Sequence, residues 1–155
     1  MVINSKRKGS DFERKICKLM TELTKTKFYR TPCSGALATT DAGSQRFKGD
    51  IYCESEDFKD LVIECKATKK PIEIHHLFQP KSLINKFVEQ CIVESKGDCW
   101  ALFIKVNNRK EILIMPYHTR GRYFKIFEMK QVKSIFLDFG GMNLFHIFYL
   151  ENKDE

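Results

Sequence analysis

Two apolar segments that carry charged residues, 47–53 and 61–66, constrain the fold of this chain more than any other feature of its sequence. If both form strands, Asp50 lies beside Glu64 and Lys66, whose side chains share one face of the sheet because side-chain direction alternates along a strand. Two carboxylates and an ammonium are costly to bury on an apolar sheet unless something pairs with them. A divalent cation would do so, and a carboxylate-held metal beside a lysine suits phosphodiester hydrolysis.

The Glu-x-Lys pattern alone carries little weight, because the chain contains it five times, starting at residues 13, 64, 94, 128 and 151. Only the copy at Glu64 ends a strongly apolar strand and follows a Gly-Asp pair at short range. The plain alternative is a cross-strand salt bridge on an exposed face, which contributes little stability. The other positions of this strand are apolar, which favours a partly enclosed cleft around Glu64 and Lys66.

The position of Glu13 has two interpretations. It follows Ser10 by three residues, the spacing of a capping box at the start of a helix. It also shares a helix row with Cys17 and Met20, so its carboxylate could lean toward the sheet. Spacing alone favours the cap.

The composition predicts a folded domain with an anionic partner. The chain has 155 residues, of which 43% are hydrophobic, and its net charge is +7. That size fits one domain with a sizeable core. A basic balance favours nucleic acid over an ordinary solvated basic surface. We expect no membrane-spanning segment, no secretory signal and no organic cofactor.

The six cysteines indicate a reducing compartment. They stand at positions 17, 33, 53, 65, 91 and 99, without a C-x-x-C pair, which argues against structural zinc. Most of them lie within apolar segments, as buried free thiols do. We therefore expect a cytoplasmic protein, in the host cytoplasm if the chain is viral.

The periodicity of apolar residues predicts a single α/β domain over residues 1–155. Its core, about 8–117, has the order helix, three strands, helix, two strands around a mixed central sheet flanked by helices. A β-rich extension follows at about 118–150. The predicted helices span 10–24 and 80–96, the second stopped by Gly97, and a long loop spans 34–46. The predicted strands are 27–33, 47–53, 61–66, 99–106, 111–117, 123–127, 134–139 and 144–150.

Four spaced motifs together resemble a known nuclease family. The segment 8–14, Lys-Gly-Ser-Asp-Phe-Glu-Arg, opens a helix as in archaeal-type Holliday junction resolvases of the PD-(D/E)XK nuclease superfamily. Residues 30–35 resemble the first strand of that family and its Ser-Gly exit. Gly49-Asp50 and residues 62–70 match its acidic strand, its Glu-x-Lys strand and the basic segment after it. The resemblance covers roughly residues 6–117, and each motif is weak when taken alone.

The resemblance implies a restriction-endonuclease-like core and a homodimeric endonuclease that makes paired nicks in four-way DNA junctions. The implied cofactor is Mg²⁺, for which Mn²⁺ could substitute. By position, Asp50, Glu64 and the backbone carbonyl of Cys65 would hold the metal, and Lys66 would orient or activate the attacking water. Glu13 would complete the acidic cluster as a catalytic residue and a further possible ligand.

Basic and polar residues in several segments are candidates for DNA binding. Lys69-Lys70 and the segment 120–125 could contact phosphates, although a solvated basic loop is equally compatible with these sequences. Lys6, Arg7 and Lys8 precede the helix of Glu13 and are therefore nearer the expected site. The resemblance adds Ser34 near the scissile strand. The full set of candidates is Lys6, Arg7, Lys8, Arg30, Ser34, Lys69, Lys70, Arg120 and Arg122.

Departures from the family leave other functions open. The stretch between Gly35 and Gly49 is longer than in compact archaeal-type members, and residues 118–150 exceed the minimal fold. Phage-encoded and other nucleases share this core. A repair or restriction nuclease acting on linear or single-stranded DNA is one alternative. A non-catalytic DNA-binding protein on the same fold is another.

Overall fold

The computed structural model of the protein describes residues 5–32, 48–79, 81–96, 99–123, 134–138 and 144–150. Within these residues the chain forms three α-helices and seven β-strands. In chain order they are α1 Ser5–Thr24, β1 Phe28–Arg30, β2 Ile51–Cys53, β3 Leu61–Thr68, α2 Leu83–Ser95, β4 Cys99–Val106, β5 Glu111–Pro116, α3 Tyr117–Tyr123, β6 Ser134–Asp138 and β7 Leu144–Leu150. Short 3₁₀ turns at Glu56–Phe58 and Ile74–Phe78 flank β3.

The strands form one mixed sheet in the order β1-β2-β3-β4-β5-β7-β6. Strands β3 and β4 are parallel over their full length, from the pair Leu61–Cys99 to the pair Thr68–Val106. Every other neighbouring pair in this order is antiparallel. The predicted order of helix, three strands, helix and two strands is confirmed, and the architecture is compatible with a restriction-endonuclease-like fold. The connection from β3 to β4 through α2 is needed because parallel neighbours cannot be joined by a tight turn.

Each face of the central sheet packs against one long helix. Because side chains alternate along β3, Ile63 points to the layer of α1 and Val62 to the layer of α2. The α1 layer includes Phe12, Ile16, Met20, Leu61, Ile63, Phe103 and Leu113. The α2 layer includes Val62, Ile84, Val88, Cys91, Leu102, Ile104 and Ile114.

Helix α1 begins five residues earlier than its sequence signals indicate. Its buried positions Phe12, Ile16 and Met20 follow the expected helical spacing. The helix starts at Ser5, however, so Ser10 lies inside it and does not cap it. The Ser10 hydroxyl instead accepts a hydrogen bond from Arg30 Nη2 at 3.2 Å. The capping explanation of Glu13 is therefore wrong.

Helix α2 is shorter than the predicted span 80–96 because Ser82 caps it. The Ser82 hydroxyl accepts a hydrogen bond from the Asn85 amide at 3.3 Å, so the helix starts at Leu83. It ends at Ser95, and the next residue, Lys96, has a left-handed backbone with φ of 51°. Gly97, the expected stop, lies outside the described residues.

Helix α3 spans the region between two predicted strands, 111–117 and 123–127, and includes the last residue of the first and the first residue of the second. Tyr123, expected to begin a strand, is the last residue of this helix, and residues 124–127 lie outside the described part. Thr119 and Tyr123, one helical turn apart, are both buried. The Thr119 hydroxyl accepts from the Trp100 amide at 3.2 Å, and the Tyr123 ring stacks on Phe58 at 5.8 Å. These contacts with β4 and with the turn before β3 favour a helix here.

The C-terminal strands belong to the same sheet as the core. β7 pairs with β5 from Glu111–Leu150 to Pro116–Phe145, and β6 pairs with β7. The expected strand at 27–33 is shorter, Phe28–Arg30, and the expected loop at 34–46 lies outside the described residues. Among the residues that the structure describes, no helix has the length and apolar character needed to cross a membrane.

Gly49 allows the backbone before β2 to approach β3 closely. It has φ of +77°, and a Cβ at this position would lie 2.5 Å from the Ile63 carbonyl oxygen. A side chain there would both clash with backbone and adopt an unfavourable left-handed conformation. The approach lets the Asp50 amide donate to the same carbonyl at 2.8 Å.

We expect Gly49→Ala to lower the free energy of unfolding by roughly 2 kcal/mol or more, because backbone strain and the close contact add together. Gly9→Ala is the matched control. Gly9 lies inside α1, where a Cβ would meet nothing closer than Glu13 Oε1 at 4.0 Å. That substitution should stabilise the protein by up to about 1 kcal/mol, the helix propensity difference. Urea unfolding measures both, and a Gly49→Ala variant as stable as the wild type would contradict the structure.

Candidate active site

Asp50 is fixed between β1 and β3 by three hydrogen bonds. Its amide donates to the Ile63 carbonyl at 2.8 Å, and its own carbonyl accepts from the Thr31 amide at 2.9 Å. Its carboxylate oxygen Oδ2 accepts from the Cys65 amide at 2.9 Å. The Asp50 side chain is therefore aimed at the backbone of β3, at the point where β2 and β3 separate.

The backbone carbonyl of Cys65 lies on the same edge of β3 as Asp50. The N–H and C=O of one strand residue point to the same neighbouring strand. Since the Cys65 amide is bonded to Asp50, its carbonyl also points toward that side. The Asp50 carboxylate and the Cys65 carbonyl, which are predicted to hold a metal together with Glu64, thus lie on the same side of β3.

Glu64 and Lys66 form a buried ion pair on the α2 face of the sheet, as the alternation along β3 predicts. Lys66 Nζ donates to Glu64 Oε2 at 2.8 Å. The Glu64 side chain is 3% exposed and that of Lys66 is 20% exposed. A charge pair so far from water needs further partners to offset the cost of desolvation.

The pKa values of Glu64 and Lys66 are both raised, and burial is the main cause for Glu64. Burial raises the pKa of Glu64 to about 9, with further contributions from the charge of Asp50 and a side-chain hydrogen bond with Glu94, and Lys66 opposes the rise. Burial acts to lower the pKa of Lys66, but the charge and hydrogen bond of Glu64 outweigh it, so this pKa is raised as well. Both groups hold protons more strongly than usual, and a cation could take over that role.

Glu111 shows what a buried glutamate with sufficient partners looks like. It is 3% exposed, and its Oε1 accepts from Lys15 Nζ at 2.7 Å and lies 3.2 Å from Lys105 Nζ. Two ammonium groups thus face one carboxylate there. At Glu64 one ammonium faces a carboxylate that has two other carboxyl groups, Asp50 and Glu94, for neighbours. Glu111 is a structural link between α1 and the sheet, whereas Glu64 has one ammonium partner and two acidic neighbours.

Glu94 is a site residue that sequence reasoning missed. It lies on α2, three residues after the buried Cys91, and Gln90 Nε2 donates to its Oε1 at 2.6 Å. Helical periodicity places it at the border of the buried stripe of α2. That signal could have shown that it faces the sheet, but not that its partner is Glu64.

Glu13 lies on the opposite face of the sheet and is paired with Arg30. Arg30 Nε donates to Glu13 Oε2 at 2.6 Å, and the Glu13 side chain is 18% exposed. Burial raises the pKa of the Cys65 thiol well above its usual value, with contributions from the charges of Asp50 and Glu13. The strand residue Cys65 is therefore flanked by both acids. Among the described residues, no group of three His, Cys, Asp or Glu side chains is arranged to hold a metal ion.

The other DNA-binding candidates lie in separate places. Lys6, Arg7 and Lys8 lie in the first turns of α1, where Arg7 is exposed and Lys8 half-buried. Lys69 and Lys70 are exposed directly after β3. Arg122 lies near the opposite end of β3, where it forms an ion pair with Asp60 at 2.9 Å. Arg120 lies in α3, and Ser34 lies outside the described residues.

The chain matches the model of the family described as "Phage putative PDDEXK endonuclease" over residues 4–140. It belongs to this family. The match to a PDDEXK endonuclease family supports a nuclease of the PD-(D/E)XK type and confirms the superfamily inferred from the sequence motifs. The narrower resemblance to Holliday junction resolvases stays a prediction. No curated protein and no solved structure matches the chain.

The residues present fit a divalent cation of the kind that PD-(D/E)XK nucleases generally use, such as Mg²⁺. Mg²⁺ takes oxygen ligands, keeps several waters and is usually held by one or two carboxylates. Asp50, Glu64 and the Cys65 carbonyl supply oxygen donors of that kind.

We expect Glu64 to make the metal-free protein less stable as the pH rises. Its pKa is raised from 4.5 to about 9 in the folded protein, so between these values the folded state binds a proton that the unfolded chain releases. This contribution is fully present below about pH 4.5 and is lost as the pH rises through about 9. In chelator, the Tm of the wild type should therefore fall more between pH 5 and pH 9 than the Tm of Glu64→Gln does. The two falls should differ by at least a few degrees, since roughly 1 kcal/mol shifts Tm by about 2–4 °C in a domain of this size.

The control for this comparison is Glu56→Gln, which removes an exposed glutamate of the same chemistry. The Glu56 side chain is 76% exposed. Its Tm profile should run parallel to that of the wild type. Parallel profiles for Glu64→Gln and the wild type would show that Glu64 does not hold an extra proton.

Proposed function

We propose that this protein is a metal-dependent DNA endonuclease whose preferred substrate is a four-way junction, cut by a homodimer. The observation that carries the hydrolytic part is the placement of Asp50, Glu64 and Lys66 around the edge of β3. Asp50 Oδ2 is bonded to the Cys65 amide, and Glu64 Oε2 to Lys66 Nζ. Family membership supports the same chemistry.

In the proposed reaction the carboxylates of Asp50 and Glu64 and the carbonyl of Cys65 hold the cation. When bound, the cation polarises the phosphate and lowers the pKa of a coordinated water. Lys66 supplies positive charge beside the phosphate, where negative charge develops as the bond to the attacking oxygen forms. Its ammonium is largely shielded from water, so its electrostatic effect is stronger than it would be on the surface.

Glu94 and Gln90 have a positioning role in this proposal. Their hydrogen bond at 2.6 Å holds the Glu94 carboxyl beside Glu64. Glu13 is proposed as a flanking acid on the other face, since its charge is felt at Cys65 while Arg30 holds it in place. Arg30 is already paired with Glu13. It contributes to DNA binding only if its guanidinium contacts Glu13 and DNA at the same time.

The preference for junctions and the homodimer rest on the resemblance and on charge. Paired, symmetrical nicks require two active sites, which a two-fold dimer supplies. Ile92 and Val93 on α2 are exposed apolar side chains, 39% and 73% respectively, and are candidates for the dimer contact. A net charge of +7 suits a polyanionic substrate of any shape.

We expect Glu64→Gln and Lys66→Ala each to reduce DNA cleavage at least about a hundredfold, the scale on which loss of one electrostatic stabiliser acts. DNA affinity, measured by fluorescence anisotropy in Ca²⁺, should change little. The exposed pair Glu56 and Lys59, 3.0 Å apart, provides matched controls, and Glu56→Gln and Lys59→Ala should cut like the wild type. Wild-type cleavage by Glu64→Gln or Lys66→Ala would refute the assignment.

We expect labelled four-way junctions to be cut in preference to forked, linear duplex and single-stranded DNA, with Mg²⁺ or Mn²⁺ and not in chelator. Light scattering should show a dimer, both alone and on junctions. Equal cutting of linear DNA would favour a repair or restriction nuclease. Binding without cutting on every substrate would favour a non-catalytic DNA-binding protein, and a monomer on junctions would count against paired nicking.

A further inference from the structure

A cavity of about 520 Å³ opens on the face of the sheet that carries Glu64 and Lys66. Its apolar wall is formed by Ile72, Val106 and Ile112, all buried members of the α2 layer. That layer also contains Val62, which shares its face with Glu64 and Lys66 because they are two and four residues further along β3. The cavity and the charged pair are therefore reached from one side of the protein.

The register of β3 and β4 gives the separation between the cavity and the site. Lys66 is opposite Ile104, and Val106 is opposite Thr68. Val106 thus lies two residues beyond Lys66 and four beyond Glu64 in the strand direction, about 7 Å and about 13 Å at roughly 3.3 Å per residue. A nucleic acid strand advances by about 3.4 Å per nucleotide in a duplex, so the offset from Glu64 corresponds to roughly four nucleotides, or about two extended ones.

The rim of the cavity is polar and mainly basic. His75, Arg109 and Lys110 line it together with Glu73. Arg109 Nη2 and His75 Nδ1 each lie 3.8 Å from a Glu73 carboxylate oxygen, too far for strong hydrogen bonds. The exposed fractions of these three side chains are about half or more, so each can turn toward a ligand.

The backbone of Glu73 is held in place by His76. Its amide donates to His76 Nδ1 at 3.2 Å, and its carbonyl accepts from the His76 amide at 2.9 Å. An apolar wall, the cationic groups of Arg109 and Lys110 and one carboxylate together supply contacts for the parts of a nucleotide. The wall suits a base, the cations suit a phosphate, and the carboxylate can accept a hydrogen bond from an amino group of the base.

We propose that this cavity receives one unpaired nucleotide of the DNA strand that is cut, about two to four nucleotides from the scissile phosphate. The inference rests on the proposed function and adds the feature of the substrate that the site recognises. A paired base must first leave the duplex, which costs a few kcal/mol, whereas a base at a branch point or bulge is already free. The cavity therefore selects DNA with an unpaired base a short distance from the cut.

The test uses the Glu64→Gln protein, which we expect to bind DNA without cutting it. Binding is measured by anisotropy on duplexes that carry one unpaired nucleotide, moved one position at a time, and on the same duplexes with an abasic residue there. We expect about tenfold tighter binding for the unpaired base over the abasic residue, within the range measured for single-base contacts. The gain should be confined to one or two positions.

Substitutions at the rim test whether the tighter binding of the unpaired base depends on the cavity. Arg109→Ala with Lys110→Ala should abolish the difference between base and abasic residue, because the phosphate that places the base is no longer held. The matched control is Lys18→Ala with Lys59→Ala, which removes the same charge from exposed positions on α1 and at the other end of β3. It should keep the full tenfold difference. A difference that survives in the rim variant, or that is missing in Glu64→Gln at every position, would overturn the inference.

The same experiment separates this inference from the proposed function. If the wild type cuts DNA with Mg²⁺ and needs Glu64, but base and abasic duplexes bind equally, the nuclease assignment stands and the cavity proposal fails. If the protein neither binds nor cuts DNA, both fail. If the preference for the unpaired base over the abasic residue is lost only in the rim variant, the nuclease proposal and the cavity proposal are both supported.

Discussion

The approach of Gly49 and Asp50 to β3 is the constraint on which the proposed site depends. Gly49 is the residue that permits it, because a side chain there would meet the Ile63 carbonyl at 2.5 Å. Asp50 then bonds to β3 through its amide and its carboxylate, to Ile63 and Cys65. The result is an acid placed beside Glu64 by backbone geometry, with no reliance on flexible side chains. The fold of β1, β2 and β3 thus prepares the site before any ligand binds.

The electrostatics of the site follow from that geometry. The Glu64 carboxyl is bonded to Lys66 and Glu94 and interacts with the charge of Asp50, in a region largely shielded from water. Burial is the main cause of the raised pKa of Glu64, and Asp50 and Glu94 add to it. The buried Glu111, which faces two lysines, shows that the fold can satisfy a buried acid where no ligand is needed. The cavity with its basic rim lies on the same face of the sheet as Glu64 and Lys66.

Local patterns in the sequence were sufficient for the central sheet and for two of the site residues. β4 and β7 were predicted with the bounds that the structure has, because long apolar runs with β-branched and aromatic residues leave little choice. Period-two alternation placed Glu64 and Lys66 on one face. Helix α3 was missed because the burial of Thr119 and Tyr123 depends on contacts with Trp100 and Phe58, which no local pattern shows. The pairing of Glu13 with Arg30, and of Glu64 with Glu94, depends on tertiary contacts in the same way, and the sequence motif suggested only a helix cap for Glu13.

The most direct test of the account is a crystal structure of the protein grown with Mn²⁺, whose anomalous scattering identifies the ion without ambiguity. The account predicts a single strong peak between the carboxylates of Asp50 and Glu64 and next to the Cys65 carbonyl. It also predicts that the Lys66 ammonium remains beside this position. A peak elsewhere on the molecule, or an ion held without Asp50 and Glu64, would contradict the central claim.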